Sequence, residues 1–593
     1  MKQCANEIRL RLKPAAVVVS KEKGSMVFFC KNLSLAILAS ALLAFSQRVD
    51  AKKWPVYAKH GMVVSSERLA SEVGVEVLKS GGNAIDAAVA TAFALAVVHP
   101  AAGNIGGGGF MVMRFADGTT TTIDYREKAP RAAHPNLYLD ADGELIRDLN
   151  HEGYLSIGVP GTVAGLTLAL EKYGTMSLKK VMQPAIKLAE KGFAIPFSLS
   201  HDLKALADEF RRYPASAKTF LKGETEFYEP GETLLQKDLA ETLKRIAKHG
   251  HEGFYASTTA ERIERDMKTH GGLLTRADLA AYQAVIRQPL EITYRGYTIT
   301  SMAPPSSGGV TLAIMLNILE GYQLGELGHN SAAYIHLLTE AMRRGYSARA
   351  QYLGDPDFNP DMPLGKLISK DFADELRESI DPDSASRSST DTFDWAFESQ
   401  QTTHFSVVDA QGNAVSNTYT LESWYGSKIV ATDLGFLYNN EMGDFNPWPG
   451  HTDTTGLIGT PPNLVQPEKR MLSSMTPTIV SNDGQTVMVV GSPGGRTIIN
   501  SVLQTIVNVI DFGMNIFEAI DAPRFHHQWL PDVIRIEKWG TSSDSVKRLE
   551  EMGHRIKWLE TQGRAMGIMI DPETGYRSGA GDPRSPNRAA VGY

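Results

Sequence analysis

The stretch Gln401–Thr420, Gln-Thr-Thr-His-Phe-Ser-Val-Val-Asp-Ala-Gln-Gly-Asn-Ala-Val-Ser-Asn-Thr-Tyr-Thr, decides the fold of this chain. Residues 401–408 and 414–420 are consistent with two strands and Asp409–Asn413 with a turn, so the pattern predicts a β-hairpin that is symmetric about Gln411. In that register Thr402 lies directly across from Thr420, with Cβ atoms about 4.5–5.5 Å apart on one face of the sheet. A shift of one residue would break this pairing.

Thr402 is a candidate nucleophile. The polar segment 376–401, rich in Ser, Asp and Thr, predicts an exposed linker that ends just before it. A threonine that becomes the first residue of a chain has its own α-amine as a base, and a second hydroxyl opposite can orient it. The hairpin alone leaves another interpretation open, because threonine is common in strands and in cross-strand pairs.

Composition narrows the possible functions. The chain has 593 residues, 42% hydrophobic and 21% charged, as in folded globular proteins. Its only cysteines are Cys4 and Cys30, so the sequence beyond them excludes disulfides, thiolate metal sites and a cysteine nucleophile.

The net charge is −7; residues 1–51 hold 8 basic and 3 acidic residues, or +5, which leaves −12 for the rest. An acidic body without a basic block argues against nucleic acid as a partner.

Residues 1–51 have the layout of a targeting signal. An apolar run of 13 residues, Leu33–Phe45, follows a lysine, and Val49 and Ala51 occupy positions −3 and −1 of a cleavage site. Met26 is a candidate true start. The run is short for a membrane span, so a cleaved signal peptide is favoured over a retained anchor. We therefore expect an exported protein, periplasmic or secreted.

The rest of the chain mixes helices and strands. The periodicity predicts helices over Leu69–Val77 and Ala84–Val98, and strands at Phe110–Arg114, Thr120–Asp124, Phe436–Asn440 and Thr486–Gly491.

Four short segments supply further polar chemistry: Asp124–Glu127 with its arginine, Asn439–Asp444 with two carboxylates, Leu472–Met475 with two serines, and Ser492–Gly495 with two glycines after a strand. Alone, each is at least as often a turn, cap or surface feature. Together they offer a guanidinium and two hydroxyls for a carboxylate, acidic groups for an ammonium, and an amide pair for an oxyanion. That set complements an amino acid whose side chain is acylated.

With these motifs, residues 55–593 resemble the γ-glutamyltranspeptidase (glutathione hydrolase) family of N-terminal-nucleophile hydrolases. The resemblance also rests on the segments Gly103–Phe110, Asp124–Pro130, Pro304–Gly309, Tyr352–Asp357, Thr402–His404 and Ala522–His527. It implies an α+β fold, a four-layer αββα sandwich in which one intertwined domain is built from two autoprocessed subunits. The implied cleavage lies between Gln401 and Thr402 and gives a large subunit, 52–401, and a small catalytic subunit, 402–593, that form a heterodimer.

The resemblance also implies the chemistry. Thr402 attacks the γ-glutamyl amide of glutathione, and the γ-glutamyl-enzyme passes its acyl group to water or to an amino acid or peptide, without cofactor or metal. The implied roles are orientation of the nucleophile by Thr420, an oxyanion hole at Gly494 and Gly495, α-carboxylate binding by Arg126, Ser473 and Ser474, and α-ammonium binding by Glu441 and Asp444.

Three features depart from the family's usual pattern. Glu422 stands where many members carry Asn and adds negative charge near the ammonium site. Gly443 stands where Asp is usual. The segment Trp448–Asn463 matches a lid over the pocket in some members but lacks the tyrosine that some of them carry.

Two rival functions are a glutaryl or cephalosporin acylase of the same superfamily and a secreted, non-catalytic binding protein. A glutaryl substrate has no ammonium and would leave Glu422, Glu441 and Asp444 without a cationic partner, which is costly when they are buried. A binding protein would be expected to lose Thr402 or the glycine pair. His526 and His527 are adjacent on a predicted strand and point to opposite faces, so we expect packing roles and no shared metal.

Overall fold

Two seven-stranded antiparallel sheets carry the site, and the hairpin of Thr402 lies at the centre of one of them. The computed structural model describes residues 54–223, 226–388, 402–455 and 457–593. The predicted leader, 1–51, and the predicted cleavage residue Gln401 lie outside the described residues.

The strands, numbered along the chain, are β1 Val56–Ala58, β2 Met62–Ser65, β3 Gly108–Arg114, β4 Thr120–Tyr125, β5 Phe193–Ala194, β6 Thr233–Leu234, β7 Val285–Arg287, β8 Leu290–Tyr294, β9 Tyr297–Ser301, β10 Thr403–Val408, β11 Ala414–Thr420, β12 Thr478–Asn482, β13 Gln485–Gly491, β14 Phe525–His526, β15 Ile534–Glu537, β16 Ile556–Leu559, β17 Met566–Ile570, β18 Arg577–Gly581 and β19 Ala589–Gly592.

The first large sheet has the strand order β19-β2-β10-β11-β3-β4-β7, and the second has the order β1-β18-β17-β13-β12-β9-β8. In the first sheet β10 and β11 lie between β2 and β3, which come from a much earlier part of the chain. In the second, β8 and β9 extend an edge built from later strands. Segments before and after position 401 are thus interleaved in both sheets, as expected for one intertwined domain.

The α-helices run over Arg68–Lys79, Ala84–Val98, Thr162–Tyr173, Leu178–Lys191, Phe197–Ala205, Ala207–Arg211, Pro214–Phe220, Lys237–His249, Glu252–Tyr255, Thr258–His270, Arg276–Ala281, Gly308–Leu319, Ala332–Tyr352, Leu364–Leu367, Lys370–Glu378, Thr497–Ile510, Ile516–Asp521 and Ser543–Glu551. Within the four described ranges, none of them combines the length and apolar character needed to cross a membrane.

Helices cover the outer face of each sheet. Arg68–Lys79 and Ala84–Val98 pack on the first sheet, and Gly308–Leu319 and Thr497–Ile510 pack on the second. Between the sheets, apolar side chains of the two inner faces form a separate core that includes Val64, Val112, Val489 and Ile568. The four layers are therefore helix, sheet, sheet and helix, which confirms the expected αββα sandwich.

The predicted hairpin is confirmed in its register. Thr403 pairs with Tyr419, and the pairing continues without a shift to the turn. In the turn, Asp409 Oδ1 accepts hydrogen bonds from the backbone N–H groups of Gln411 (3.0 Å) and Asn413 (2.9 Å). These bonds fix the loop length, and the loop length fixes the register.

The predicted strand Phe436–Asn440 is wrong. The backbone there serves loop contacts, since Asn439 N–H donates to the Gly106 carbonyl (3.2 Å) and Asn440 N–H donates to the Leu421 carbonyl (3.0 Å). The segment is apolar because it is buried, and burial alone does not predict that its backbone pairs with a neighbouring strand.

The predicted linker 376–401 is only partly described. The helix Lys370–Glu378 extends into it, and the following residues up to Ser388 are mostly exposed. Ser388 N–H donates to Asp532 (3.0 Å), which attaches this stretch to the later part of the chain.

Candidate active site

Thr402 lies immediately before β10 and opposite the end of β11. Because Thr403 pairs with Tyr419, the same ladder extended by one residue places Thr402 across from Thr420. Side chains alternate along a strand, so Thr402 shares the face on which Ser406 reaches a carbonyl of β13 in the second sheet. Thr402 is 6% exposed and Thr420 is 4% exposed. The two hydroxyls therefore lie on the face that meets the second sheet.

The loops around Thr420 hold it from both sides. The backbone N–H of Glu422 donates to Thr420 Oγ1 (2.9 Å), so this oxygen acts as an acceptor. The Asn104 side chain donates to the Thr420 carbonyl (2.8 Å). A Cβ on Gly107 would lie 2.0 Å from that same carbonyl, which explains a glycine at this point of the glycine-rich run.

A small pocket of about 20 Å³ lies beside the two threonines. It brings together eight of the residues that the sequence selected: Arg126, Thr402, Thr420, Glu422, Asp444, Ser473, Ser474 and Gly495, with Met475 and Ile498 completing the wall. The remaining two, Glu441 and Gly494, adjoin it, the first beside Arg126 and the second next to Gly495.

Arg126 is fully buried among carboxylates. It follows the last residue of β4, and its Nη1 lies 2.5 Å from Glu441 Oε2 and 3.3 Å from Glu127 Oε2. Its Nη2 donates to Asp444 Oδ2, and its Nε donates to the Met471 carbonyl (3.3 Å). One guanidinium thus faces three acidic side chains.

This imbalance of charge shifts the protonation equilibria. Burial opposes the charge of Arg126, but Glu441, Asp444 and Glu127 outweigh it and raise the Arg126 pKa. Burial raises the pKa of Glu127 to about 7, although Arg126 opposes the shift. Burial also raises the pKa of Glu441, and its acidic neighbours add to the effect. The carboxylates of the cluster outnumber its one guanidinium, so an additional cation would be favourable there.

The two serines of Leu472–Met475 are fixed by a segment that the sequence did not connect with them. The Ser473 carbonyl accepts bonds from both the backbone N–H (2.7 Å) and the hydroxyl (2.6 Å) of Ser307. Arg349 donates from Nε to Ser307 Oγ (2.8 Å) and from Nη2 to Ser474 Oγ (3.0 Å). A second buried guanidinium thus lies directly behind the serine pair.

Gly494 and Gly495 follow β13 in a backbone conformation that favours glycine. Their φ angles are +132° and +54°. The Gly494 carbonyl accepts bonds from the backbone N–H (3.1 Å) and hydroxyl (2.7 Å) of Thr497, which begins the helix Thr497–Ile510. A Cβ on Gly494 would lie 2.5 Å from the same hydroxyl. The pair is therefore rigid, at the N-terminal end of a helix and beside the pocket.

Glu422 adopts a positive φ of +80° and is one of the residues that line the small pocket. Its Oε2 accepts bonds from the Asn440 side chain and from Ser423 Oγ (2.7 Å). Glu422 is only 4% exposed, and these two hydrogen bonds hold its carboxylate in one position.

A larger cavity of about 340 Å³ adjoins the pocket through Asp444. Its wall includes Trp448, Leu457 and Ile458 from the segment that resembles a lid, together with Arg496 and His151. Trp448 stacks on His451 with ring centroids 3.9 Å apart.

The histidine pair has separate partners. His526 contacts Asn500 (2.6 Å) and Gln528 (2.9 Å), whereas His527 contacts Asp532 (3.1 Å). Burial lowers the pKa of His526 to about 3 and that of His527 to about 4, so both are neutral packed side chains at neutral pH.

Away from the pocket, His336, Glu340 and His554 form a cluster whose possible metal-ligand atoms lie within 4.8 Å of one another. Glu340 accepts bonds from Arg343 (3.3 Å) and Arg344 (2.6 Å), so both of its oxygens are already paired with guanidinium groups.

Sequence reasoning missed Arg349, Glu127 and His151 as parts of this region. Arg349 is one of several charged residues on the helix Ala332–Tyr352, and no local pattern separates it from its neighbours. Glu127 belongs to the segment Asp124–Pro130, and nothing in that segment singles it out from its neighbours.

The sequence model of the family "Gamma-glutamyltranspeptidase" matches residues 70–592. The chain is 47% identical to the glutathione hydrolase proenzyme of Pseudomonas sp. (strain A14) over 573 residues, covering 95% of this chain and 100% of that protein. It is 48% identical to the glutathione hydrolase proenzyme of Escherichia coli (strain K12) over 541 residues, covering 91% and 93%.

Among solved structures, the cephalosporin acylase from Bacillus halodurans superposes with a TM-score of 0.80 at 28% identity, covering 92% of this chain and 98% of that chain. The family match over most of the chain, the two relatives and the shared fold agree with the motifs that line the pocket. The chain belongs to the γ-glutamyltranspeptidase family.

Proposed function

We propose that the chain is a self-cleaving γ-glutamyltransferase and glutathione hydrolase. The observation that carries the proposal is the single pocket in which Thr402, Thr420, Arg126 and the serine pair meet. The family relationship and the proenzyme relatives support it.

Processing is the first reaction. Thr402 Oγ attacks the carbonyl of Gln401, the peptide bond becomes an ester, and water hydrolyses the ester. The products are a carboxylate on Gln401 and a free α-amine on Thr402. The large subunit, 52–401, and the small subunit, 402–593, then remain together as a heterodimer, because their strands share both sheets.

In the catalytic cycle the Thr402 α-amine takes the hydroxyl proton while Oγ attacks the γ-carbonyl of the donor. The amides of Gly494 and Gly495 stabilise the oxyanion, and Thr420 orients the nucleophile by a hydrogen bond. The leaving amine takes the proton as the tetrahedral intermediate collapses to a γ-glutamyl ester. Water or an acceptor amine then attacks this ester and regenerates Thr402.

The donor's α-carboxylate binds Arg126, Ser473 and Ser474, and its α-ammonium binds Asp444, Glu441 and Glu422. A buried cluster that holds more carboxylates than guanidinium groups supports this division, because the incoming ammonium supplies the missing positive charge. The leader predicts export, so the donors are extracellular or periplasmic glutathione and related γ-glutamyl compounds.

The second candidate function is a glutaryl-type acylase, which the likeness to the cephalosporin acylase favours. The acidic cluster argues against it, because three carboxylates share the single guanidinium of Arg126 and a glutaryl group brings no second cation.

The test is a product analysis of the purified protein with glutathione, with and without glycylglycine as acceptor. We expect glutamate and cysteinylglycine in the first case and γ-glutamyl-glycylglycine in the second, both detected by mass spectrometry. Efficient hydrolysis of glutaryl amides with inert glutathione would contradict the proposal in favour of the acylase.

A further inference from the structure

His151 lies between the two residues that depart from the family's pattern. Its Nδ1 is 3.4 Å from Glu422 Oε1. A Cβ on Gly443 would lie 2.3 Å from the same Nδ1 and 2.5 Å from Cε1. The imidazole thus fills the space that an aspartate at position 443 would need, and it faces the carboxylate that replaces an asparagine at position 422.

The pair is held in this arrangement by Asn440. The Asn440 side chain donates to Glu422 Oε2 and also to the His151 carbonyl (3.1 Å). With Oε2 bound there and to Ser423, the other oxygen of Glu422 faces the imidazole. Two departures 21 positions apart in the sequence are therefore one local unit in the structure.

The charged groups around His151 are mostly acidic. Glu422, Asp444 and Asp148 act on the imidazole, and Asp444 is itself paired with Arg126. Three other arginines, Arg147, Arg349 and Arg496, line the larger cavity that His151 shares. Burial disfavours the imidazolium, but Glu422 and the two aspartates outweigh it and raise the His151 pKa.

We propose that His151 is a positioning and specificity-determining residue of the donor's ammonium subsite, and that its protonation sets how strongly the enzyme selects donors with an α-ammonium over glutaryl donors. This inference rests on the proposed function, in which Glu422 and Asp444 face that ammonium. When His151 is protonated, its positive charge cancels the negative charge of Glu422. The subsite then has the same net charge as one with a neutral asparagine at position 422.

The sign of the pH dependence follows. As the pH rises through the His151 pKa, the imidazole loses its charge and Glu422 acts on the ammonium without a competing cation. The KM of γ-glutamyl donors then falls relative to that of glutaryl donors. Titration of the Thr402 α-amine affects both donors alike and cancels in their ratio.

The experiment measures kcat and KM of the processed enzyme for γ-glutamyl and glutaryl p-nitroanilides between pH 5 and 9. In the natural enzyme we expect the selectivity, the ratio of the two kcat/KM values, to rise about fivefold across the His151 titration through KM. Glu422→Asn should give a lower ratio, whose only pH dependence comes from the donor's own ammonium. His151→Gln should give a higher ratio with that same residual pH dependence and no step at the His151 titration. The donor's own ammonium also loses its proton in this pH range, and it does so with every variant. The pH profile of Glu422→Asn measures this contribution.

The controls separate a structural role from the proposed one. His249→Gln, at an exposed histidine that ends the helix Lys237–His249, should keep the natural pH profile. Gly443→Asp introduces atoms where the imidazole lies, so it should abolish the step at the His151 titration although His151 is still present. The double variant His151→Gln, Glu422→Asn should behave like Glu422→Asn alone.

Two outcomes would overturn the inference: a natural enzyme whose selectivity follows the same pH profile as Glu422→Asn, or a His151→Gln variant that keeps the pH profile of the natural enzyme. Asp444→Asn distinguishes a wrong assignment of the ammonium subsite from a wrong role for His151. If the subsite is assigned correctly, this change should abolish the selectivity at every pH. If it does so while His151→Gln keeps the natural pH profile, only the role of His151 is wrong. If Asp444→Asn leaves the selectivity intact, the ammonium subsite itself is wrongly placed.

Discussion

Arg349 donates a hydrogen bond to Ser474 Oγ across 3.0 Å, from a helix that lies far from the serine in the sequence. The bond uses Ser474 Oγ as an acceptor and fixes its position at the pocket wall. The guanidinium also reaches Ser307, which in turn fixes the Ser473 carbonyl. Arg349 is thereby placed behind both hydroxyls that we assign to the donor's α-carboxylate.

We expect Arg349→Lys to raise the KM for γ-glutamyl donors by about tenfold, because one of two hydrogen bonds from a charged donor is lost. The value of kcat should change less. Steady-state kinetics with a γ-glutamyl anilide checks this, with Arg131→Lys, at an exposed ion pair with Glu468, as the matched control. An unchanged KM would remove Arg349 from the support of Ser474.

Asp444→Asn should impair γ-glutamyl donors far more than glutaryl donors. The aspartate lines the pocket, and loss of its pairing with the ammonium of a γ-glutamyl donor costs roughly 2–5 kcal/mol, whereas a glutaryl donor has no ammonium to lose. The comparison of kcat/KM for the two anilides measures the difference, with the exposed Asp208→Asn as control. Equal losses for both donors would contradict the ammonium assignment.

Gly494→Ala should lower kcat by about 100-fold or more while leaving KM nearly unchanged, as loss of an oxyanion donor does. The alanine would meet a φ of +132° and the Thr497 hydroxyl at 2.5 Å, so the turn must shift. Gly365→Ala is the matched control, since a Cβ there has nothing within 4 Å. A raised KM with unchanged kcat would place Gly494 outside the oxyanion hole.

Glu127→Gln should stabilise the protein increasingly as the pH rises. The folded-state pKa of Glu127 is raised to about 7 from 4.5, so its ionised form is disfavoured in the folded protein. The natural protein therefore loses stability between pH 4.5 and 7 relative to the variant, by up to about 3 kcal/mol. Thermal unfolding midpoints at pH 5, 6, 7 and 8 measure this, and a difference that stays constant with pH would count against it.

The sequence predicts the parts of the site that local pattern controls. The symmetry of the hairpin about the turn that begins at Asp409 sets the register, and the register places Thr402 opposite Thr420. The glycine pair is predictable for a similar reason, because two glycines after a strand indicate an unusual turn. The helix Ala84–Val98 is predicted to the residue from its alanine-rich run, and the structure adds the capping side chain of Asn83 at its start.

Other parts depend on contacts between distant segments and have no local signal. Arg349 and His151 acquire their partners only when a helix and a loop pack against the pocket. Phe436–Asn440 has the apolar character of a strand, but its backbone groups bond to two loops instead of a ladder. The sequence identifies Glu422 and Gly443 as separate departures, and only the fold brings both to one imidazole.

The most direct measurement is the intact mass and N-terminal sequence of the purified protein. We expect two chains, the lighter one beginning at Thr402 and containing 192 residues (593 − 401). Thr402→Ala should stay a single inactive chain, whereas Thr402→Ser should still divide, because it keeps a hydroxyl nucleophile. A lighter chain that starts elsewhere, or a fully active protein that remains one unbroken polypeptide, would contradict the account.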